Sequence, residues 1–299
     1  MPARQPMDAF GAAALVAFSA LLGFNQVVIA VVNEGLQPVF FAGLRSLGAA
    51  LCIWAWMRWR GLSAAIAPGT AGAGLLAGAI FTVEFVALFT ALDLTTVART
   101  SVIFYSMPVW LALAAHWLLP GERIGPRKAV GLALAMGGVA WAILDRPGAA
   151  VAGGSLAGDL CALAAALGWA AIAICARATA LSRVRPEMQL LWQVAVSAPI
   201  LLLLAPLFGP LVRDLAPVHL AGLAFQIVVV VSFGFILWLW LLSRYEAAAV
   251  ASFSFLGPIF GAGFGWLLLG ERLGPGLIGA LVLVAAGLAL INAPPRKAA

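Results

Sequence analysis

The chain has 299 residues, of which 64% are hydrophobic and 9% are charged, and its mean hydropathy is +1.09. A soluble globular protein carries about a quarter of its residues as charged side chains, so this composition excludes that class and indicates a membrane protein. The net charge of +6 and the pI near 10.0 do not indicate a nucleic-acid partner, because the basic residues lie in short loops between apolar runs.

Ten apolar stretches are each long enough to cross about 30 Å of hydrocarbon as a helix. Several begin at a proline, which is favoured there because the first helical amides have no acceptor within the helix. The sequence therefore predicts an all-α, multi-pass integral membrane protein. We expect its spans at residues 9–32, 37–59, 68–92, 96–119, 126–145, 155–179, 186–208, 218–242, 246–269 and 274–292.

The distribution of Lys and Arg predicts the orientation, because cytoplasmic loops are enriched in these residues. One set of alternate loops contains only Arg99, Arg146, Arg213 and Arg272. The other set is much richer, so we expect both termini to be cytoplasmic. Its basic residues are Arg4, Arg58, Arg60, Arg123, Arg127, Lys128, Arg177, Arg183, Arg185, Arg244, Arg296 and Lys297.

A repeated loop indicates that the two halves of the chain are related. The run Gly-Glu-Arg-Ile-Gly-Pro at 121–126 returns as Gly-Glu-Arg-Leu-Gly-Pro at 270–275. A common turn between membrane helices is the alternative, but the match continues at a fixed offset, for example from Gly138 to Gly287. We therefore predict two five-helix repeats, 1–146 and 147–299. An odd number of spans separates the copies, so the second repeat is inverted, as in many transporters.

Two prolines occupy corresponding spans of the repeats. Pro108 and Pro258 each remove a backbone hydrogen bond within a span, which predicts a helix break or hinge. Interrupted helices at matching positions point to the binding site in inverted-repeat transporters. Polar and aromatic residues precede both prolines, among them Tyr105 and Ser254. The alternative is that the prolines only bend the helices for packing.

Two charged residues lie inside predicted spans, where charge is expensive and is a functional candidate by default. Arg45 and Glu84 are predicted at similar depth, about 12 Å from the outer boundary at 1.5 Å per residue. Together they could bind the carboxylate and ammonium of a zwitterion. A fixed ion pair that only joins two helices is the alternative. Gln193 occupies the place of Arg45 in the second repeat, so the charge is not duplicated.

Two tryptophans are further candidates for a cavity wall. Trp169 lies mid-span beside Gly168, and Trp238 lies in the eighth span. Core packing is the alternative for each. Gly257, Gly261 and Gly265 form a ridge of small residues that permits close helix contact. We expect that ridge to pack within one chain, and we expect a monomer to be functional.

These features resemble the drug/metabolite transporter superfamily, and within it the EamA-type exporters with two five-helix repeats. The resemblance rests on Phe41-Ala42-Gly43-Leu44-Arg45, on the proline pair and on both Gly-Glu-Arg loops. The chain is most similar to YddG-type amino-acid exporters. That likeness implies roles in substrate binding for Glu84, Tyr105, Trp169 and Trp238.

The resulting hypothesis is an exporter of amino acids, aromatic or of a broader neutral range, in the bacterial inner membrane. Arg45 and Glu84 would contact the charged ends of the substrate, and Gln193 and Ser254 would add hydrogen bonds. Glu84 could instead carry a coupling proton, because burial favours the neutral carboxyl. Export of other small metabolites, such as purines or cationic drugs, is the main alternative.

Other classes of function fit less well. A membrane enzyme needs paired acid and base groups or clustered ligands, whereas His116 and His219 are isolated on opposite sides. Cys52, Cys161 and Cys175 fall inside apolar segments and indicate neither a disulfide set nor a metal site. A channel needs a repeated polar ring, which is not evident. We therefore expect no enzymatic activity and no cofactor.

Overall fold

The protein was analysed as a computed structural model, which describes residues 7–119, 122–145, 154–245 and 252–292. Helices dominate these residues, and an isolated antiparallel bridge joins Leu36 to Val212. The first five spans are α1 (Ala9–Gly35), α2 (Pro38–Trp59), α3 (Ala71–Leu94), α4 (Val97–Phe104, then Met107–Leu118) and α5 (Pro126–Leu144).

The second five spans contain more irregular helix. They are α6 (Leu156–Ala178), α7 (Pro186–Leu204, then a 3₁₀ turn Ala205–Phe208), α8 (Pro217–Phe225, a π-helical segment Gln226–Phe233, then Gly234–Arg244), α9 (a 3₁₀ turn Ser252–Phe255, then Leu256–Leu269) and α10 (Pro275–Asn292).

These helices confirm the predicted all-α membrane fold. Among the described residues, nine helical spans are long and apolar enough to cross a membrane, and Phe253–Leu269 is a shorter apolar helix in the tenth position. The first residues of the predicted span 246–269 lie outside the described residues, as do Gly121 of the first repeated loop and the boundary at 146–147.

Local capping explains several helix starts. Asp8 precedes α1, and its carboxylate accepts a hydrogen bond from the amide of Gly11 at 2.7 Å. Gln37 precedes α2, and its side-chain oxygen accepts from the amide of Phe40 at 2.6 Å. Such contacts satisfy amides that have no partner inside the helix. They fix the helix boundaries close to the predicted positions.

Helices α5 and α10 pack antiparallel through small residues. A methyl group added to Gly131 would lie 2.8 Å from the carbonyl oxygen of Gly287, and one added to Gly138 would lie 2.8 Å from that of Ala280. Position numbers therefore rise along one helix as they fall along the other. Because a Gly-Glu-Arg loop precedes each helix, the two loops lie at opposite ends of the bundle. This packing places the second repeat upside down relative to the first.

Other contacts between the repeats have the same antiparallel sense. In α3 and α6, a methyl group on Gly168 would lie 3.0 Å from Glu84 Cβ, and one on Gly158 would lie 2.7 Å from Thr95 Cβ. In α4 and α9, Ser101 lies against Gly261 and Tyr105 against Gly257. The predicted glycine ridge of α9 therefore packs within the chain. We call the two ends of the bundle the Glu122 end and the Glu271 end.

Candidate functional site

Arg45 of α2 and Glu84 of α3 are both buried inside the bundle. They are 8% and 2% exposed, and the Arg45 guanidinium lies over the ring of Phe85, the residue that follows Glu84, although no salt bridge within 4.0 Å joins the two charges. Arg45 lies seven residues from the start of α2 and Glu84 ten residues from the end of α3, or about 10 and 15 Å from the Glu271 end at 1.5 Å per residue. The structure therefore brings these two predicted site residues together.

The charges of this pair are not fully matched by hydrogen bonds. Neither Nε of Arg45 nor Oε2 of Glu84 has a hydrogen-bond partner among the described residues. A buried polar atom without a partner costs free energy, and a buried charge costs more. The pair thus retains both donor and acceptor capacity toward a third group.

Phenylalanines of α3 form an apolar floor beneath Arg45. The Cζ atom of Arg45 lies 4.7 Å from the ring centroid of Phe85 and 5.7 Å from that of Phe89. These two rings stack on each other at 5.3 Å, and Phe81 continues the row at 4.0 Å from Phe85. Cation–π contacts stabilise a guanidinium at such distances. Sequence reasoning missed these rings, although their spacing of four residues places them on one helix face.

Trp169 and Tyr105 border the same apolar core. Glycine at position 168 allows α6 to approach Glu84 closely, and the neighbouring Trp169 is half-buried against the central cluster. Tyr105 is buried in that cluster and packs against Gly257, where an added methyl group would lie 2.8 Å from the Tyr105 ring. Aromatic side chains from α4 and α6 therefore adjoin the helices that carry the two charges.

The α4 helix is interrupted just before Pro108. Its first part ends at Phe104 and its second part begins at Met107. The hydroxyl of Ser106 donates to the carbonyl of Ile103 at 2.6 Å and accepts from Trp110 Nε1 at 3.0 Å. The Ser106 side chain thus adds polar contacts at the interruption, next to Pro108, which has no amide hydrogen to donate.

The corresponding helix of the second repeat changes type near Pro258. A 3₁₀ turn ends at Phe255, and Pro258 is the third residue of the α-helix that follows. Pro258 itself is buried. Both proline positions therefore coincide with a change of helix geometry.

Gln193 lies in α7, closer to the Glu122 end of the bundle than Arg45 does. It is half-buried in α7, one helical turn before Ser197, whose hydroxyl donates to that of Ser46 at 3.1 Å. Ser46 directly follows Arg45 in α2. Gln193 is therefore within one to two turns of the charged pair, toward the Glu122 end.

Trp238 and Ser254 lie away from the charged pair. Trp238 stacks on Phe18 at 5.4 Å and packs with a separate apolar cluster near the end of α8. The Oγ atom of Ser254 accepts a hydrogen bond from Asn292 Nδ2 at 2.9 Å, where α10 ends. The structure places both residues at the Glu122 end.

A buried polar cluster near the Glu271 end was not predicted from the sequence. The hydroxyl of Ser101 donates to Gln26 Oε1 at 2.6 Å, and Gln226 Nε2 donates to the carbonyl of Asn25 at 3.2 Å. The remaining polar atoms Asn25 Oδ1, Gln26 Nε2 and Gln226 Oε1 have no partner among the described residues. Isolated amide residues in apolar spans were the available signal for this cluster.

Metal ligands are not grouped in the part of the chain that the structure describes. No three His, Cys, Asp or Glu residues there lie close enough to hold an ion. The candidate site instead consists of one charged pair, an aromatic floor and a helix interrupted beside them. Such an arrangement suits the binding of a small charged molecule.

Comparison with known proteins decides the family. Residues 9–144 and 156–293 each match the EamA-like transporter family. The chain belongs to this family. Each half of this EamA-family protein thus matches the family separately, in agreement with two repeats. The protein is a multi-pass membrane transporter.

Several relatives share most of the length of this transporter. The uncharacterized transporter YoaV of Bacillus subtilis is 21% identical over 276 residues, which cover 92% of this chain and 94% of YoaV. The uncharacterized protein PA1977 of Pseudomonas aeruginosa is 31% identical over 265 residues, or 88% and 86% of the two chains. A solved crystal structure has the same fold, with a TM-score of 0.65 and 22% identity over 93% of this chain and 96% of the other.

Proposed function

We propose that this EamA-family transporter exports amino acids across the bacterial inner membrane by alternating access. The observation that carries the proposal is the buried pair of Arg45 and Glu84, whose Nε and Oε2 atoms have no hydrogen-bond partner among the described residues. Amino acids are small zwitterions, so one molecule can complement both charges at once. Neither a purine nor a simple cation carries both charges.

The chemistry of binding follows from the two groups. A guanidinium binds a carboxylate through parallel N–H donors, and a carboxylate accepts hydrogen bonds from an ammonium group. Arg45 would therefore hold the substrate carboxylate and Glu84 its ammonium. The side chain of the substrate would lie against Tyr105 and Trp169, with Gln193 adding hydrogen bonds. Trp238 and Ser254 would line the path at the Glu122 end.

A fixed structural ion pair is the competing explanation for the same residues. Burying two charges is favourable only when their geometry is good and additional hydrogen bonds satisfy the remaining atoms. Arg45 Nε and Glu84 Oε2 do not meet that condition within the described residues. A site that exchanges its partners during transport accounts for the pair more directly.

The predicted orientation assigns the two ends of the bundle to the two sides of the membrane. The Glu122 end carries the loops rich in Lys and Arg and would face the cytoplasm. The two repeats would rock about the charged pair, with the interruptions at Pro108 and Pro258 absorbing the change of helix geometry. In the alternative, Glu84 would bind a coupling proton in one part of the cycle and the substrate in another.

Counterflow in proteoliposomes tests the proposal. Vesicles are loaded with unlabelled amino acids, purines or organic cations, and exchange against a labelled amino acid is followed. We expect amino acids alone to drive exchange, and Glu84→Gln to reduce it at least tenfold. Glu34→Gln is the matched control, since it makes the same chemical change at an exposed helix end.

The outcomes separate the hypotheses. Exchange driven by purines or cations alone would contradict the amino-acid assignment but not the assignment of the protein as a transporter. Normal exchange by Glu84→Gln with an unchanged dependence on pH would remove Glu84 from both substrate binding and proton coupling. Normal exchange whose pH dependence is lost would assign Glu84 to the proton.

A further inference from the structure

The two copies of the Gly-Glu-Arg loop bind different partners. At the Glu271 end, the carboxylate of Glu271 accepts hydrogen bonds from the backbone amides of Val97 and Ala98, at 2.6 and 2.8 Å. These are the first two residues of α4, in the other repeat. A carboxylate at a helix start satisfies amides that have no partner in the helix and interacts favourably with the helix dipole.

The other early amides of α4 have partners of their own. The Thr96 hydroxyl accepts from the amide of Arg99 at 3.2 Å, and the Thr96 carbonyl accepts from that of Thr100 at 2.9 Å. The Glu271 carboxylate therefore completes the capping of α4. Without it, the amides of Val97 and Ala98 would lose their acceptors.

The copy at the Glu122 end makes a different and more exposed contact. Oε1 of Glu122 lies 2.5 Å from Nη2 of Arg177, and the two side chains are 37% and 48% exposed. Its hydrogen bond with Arg177 lowers the pKa of Glu122. Burial, by contrast, raises the pKa of Glu271, and the amides of Ala98 and Val97 oppose that rise. One motif thus forms a half-buried cap at one end of the bundle and a surface ion pair at the other.

The surroundings of Glu271 are shaped for this contact. A methyl group on Gly265 of α9 would lie 2.5 Å from Glu271 Oε2, so a larger residue there would displace the carboxylate. The backbone carbonyl of Gly265 also accepts from the amide of Glu271 at 3.2 Å. The α9 helix therefore positions Glu271 against the start of α4.

Further polar contacts join the two repeats at the same end. Arg99 of α4 forms a buried ion pair with Asp159 of α6 at 2.7 Å. Arg213, before α8, forms a second pair with Asp93 of α3 at 2.5 Å. Both link residues of the first repeat to residues of the second. These contacts join the two repeats at the Glu271 end in this structure.

We propose that Glu271 is a positioning residue of the transport cycle, whose carboxylate holds α4 against α9 while the Glu271 end is closed and releases it when that end opens. This inference rests on the alternating-access cycle proposed above. The atoms responsible are the two carboxylate oxygens of Glu271, which accept hydrogen bonds from the first amides of α4. Loss of a helix cap shifts a folding equilibrium by about 2- to 30-fold, and we expect a shift of this size toward the open state.

Accessibility of a buried position measures this shift without any substrate. Ser101 is fully buried one turn below the contact. In a background lacking Cys52, Cys161 and Cys175, Ser101→Cys is labelled with a membrane-impermeant maleimide applied from the Glu271 side. The labelling rate is compared among the parent, Glu271→Ala and Glu271→Gln. Glu122→Ala is the matched control in the other copy of the motif.

A distance measurement serves as the second readout. Leu94 and Leu215 are exposed at the Glu271 end, one in each repeat. Spin labels attached at Leu94→Cys and Leu215→Cys report the separation of the repeats by pulsed electron paramagnetic resonance. A larger population at long distance indicates opening of this end, even where the Ser101→Cys substitution itself disturbs the packing.

We expect Glu271→Ala to raise labelling several-fold and to increase the long-distance population. Glu271→Gln keeps one acceptor oxygen at the same reach but replaces the second with an NH2 donor, so both values should fall between those of Glu271→Ala and the parent. Glu122→Ala should leave both values unchanged. Equal values for Glu271→Ala and the parent, or equal effects of Glu271→Ala and Glu122→Ala, would overturn the inference. Failure of amino-acid exchange would not affect this test, so the two proposals fail separately.

Discussion

Removing Asp159 should destabilise the transporter strongly, because it strands a buried guanidinium. Arg99 donates from Nε to Asp159 Oδ1 at 3.1 Å and from Nη2 to Oδ2 at 2.7 Å. It also donates to the backbone carbonyls of Asp145, at 3.1 Å, and Ala142. Thr95 donates to the same carboxylate at 3.0 Å. The side chain of Asp159 is fully buried and that of Arg99 is 9% exposed.

The expected loss of stability depends on which charged group each variant leaves unpaired. Breaking a buried ion pair costs about 3–5 kcal/mol, because one charge remains uncompensated. Asp159→Ala leaves Arg99 with the two carbonyls, so we expect the lower end of this range, about 3 kcal/mol. Adding Arg99→Leu removes the stranded charge and should recover at least about 1 kcal/mol. The double variant would then be more stable than the single one.

A second pair at the same end provides the control. Arg213 and Asp93 have side-chain exposures of 36% and 20%, so water screens their attraction. Asp93→Ala should therefore cost less than about 1 kcal/mol. The free energy of unfolding is measured by titration with sodium dodecyl sulfate in mixed micelles. Equal losses for Asp159→Ala and Asp93→Ala, or no recovery in the double variant, would refute the reasoning from burial.

Two further predictions concern packing and pH. Gly261→Ala places a methyl group 2.0 Å from Ser101 Oγ, whereas Gly263→Ala meets no atom of the described residues within 4 Å. We expect only Gly261→Ala to lower the thermal midpoint, by the equivalent of about 1–3 kcal/mol, and similar midpoints for both variants would contradict this. Arg177 lowers the pKa of Glu122, so their pair stabilises the protein above the ordinary Glu pKa of 4.5 and ceases to do so as the pH falls through the lowered value. Glu122→Gln should then be less stable than the parent at pH 7, by less than about 1 kcal/mol, with the difference vanishing in acid. A difference that persists unchanged in acid would argue against the ion pair.

The fold was predictable because its causes are local or repeat along the chain. Span length, proline at helix starts and a repeated loop are all visible in the sequence, and the observed helices begin and end close to the predicted positions. The charges of Arg45 and Glu84 inside apolar spans make these residues candidates for the site for the same reason.

The remaining features depend on which helices meet, and one sequence does not encode that openly. The sequence predicts Arg99 in a loop, but the residue is buried because α6 brings Asp159 against it. The amide contacts of Glu271 likewise require α9 and α4 to be neighbours. The sequence predicts Trp238 in the wall of a central cavity, whereas α8 places it against Phe18 at the Glu122 end. The π-helical segment of α8 had no sequence signal that we recognise.

The contact between α5 and α10 restricts how the two copies can diverge. A side chain at Gly131 would press on the backbone of position 287, and one at Gly287 would lie 2.5 Å from the carbonyl of position 131. Neither backbone can retreat without separating the pair of helices. A mutation at either glycine therefore disturbs the packing of both repeats. Each half of the gene thus limits sequence change in the other, even where the two sequences are no longer similar.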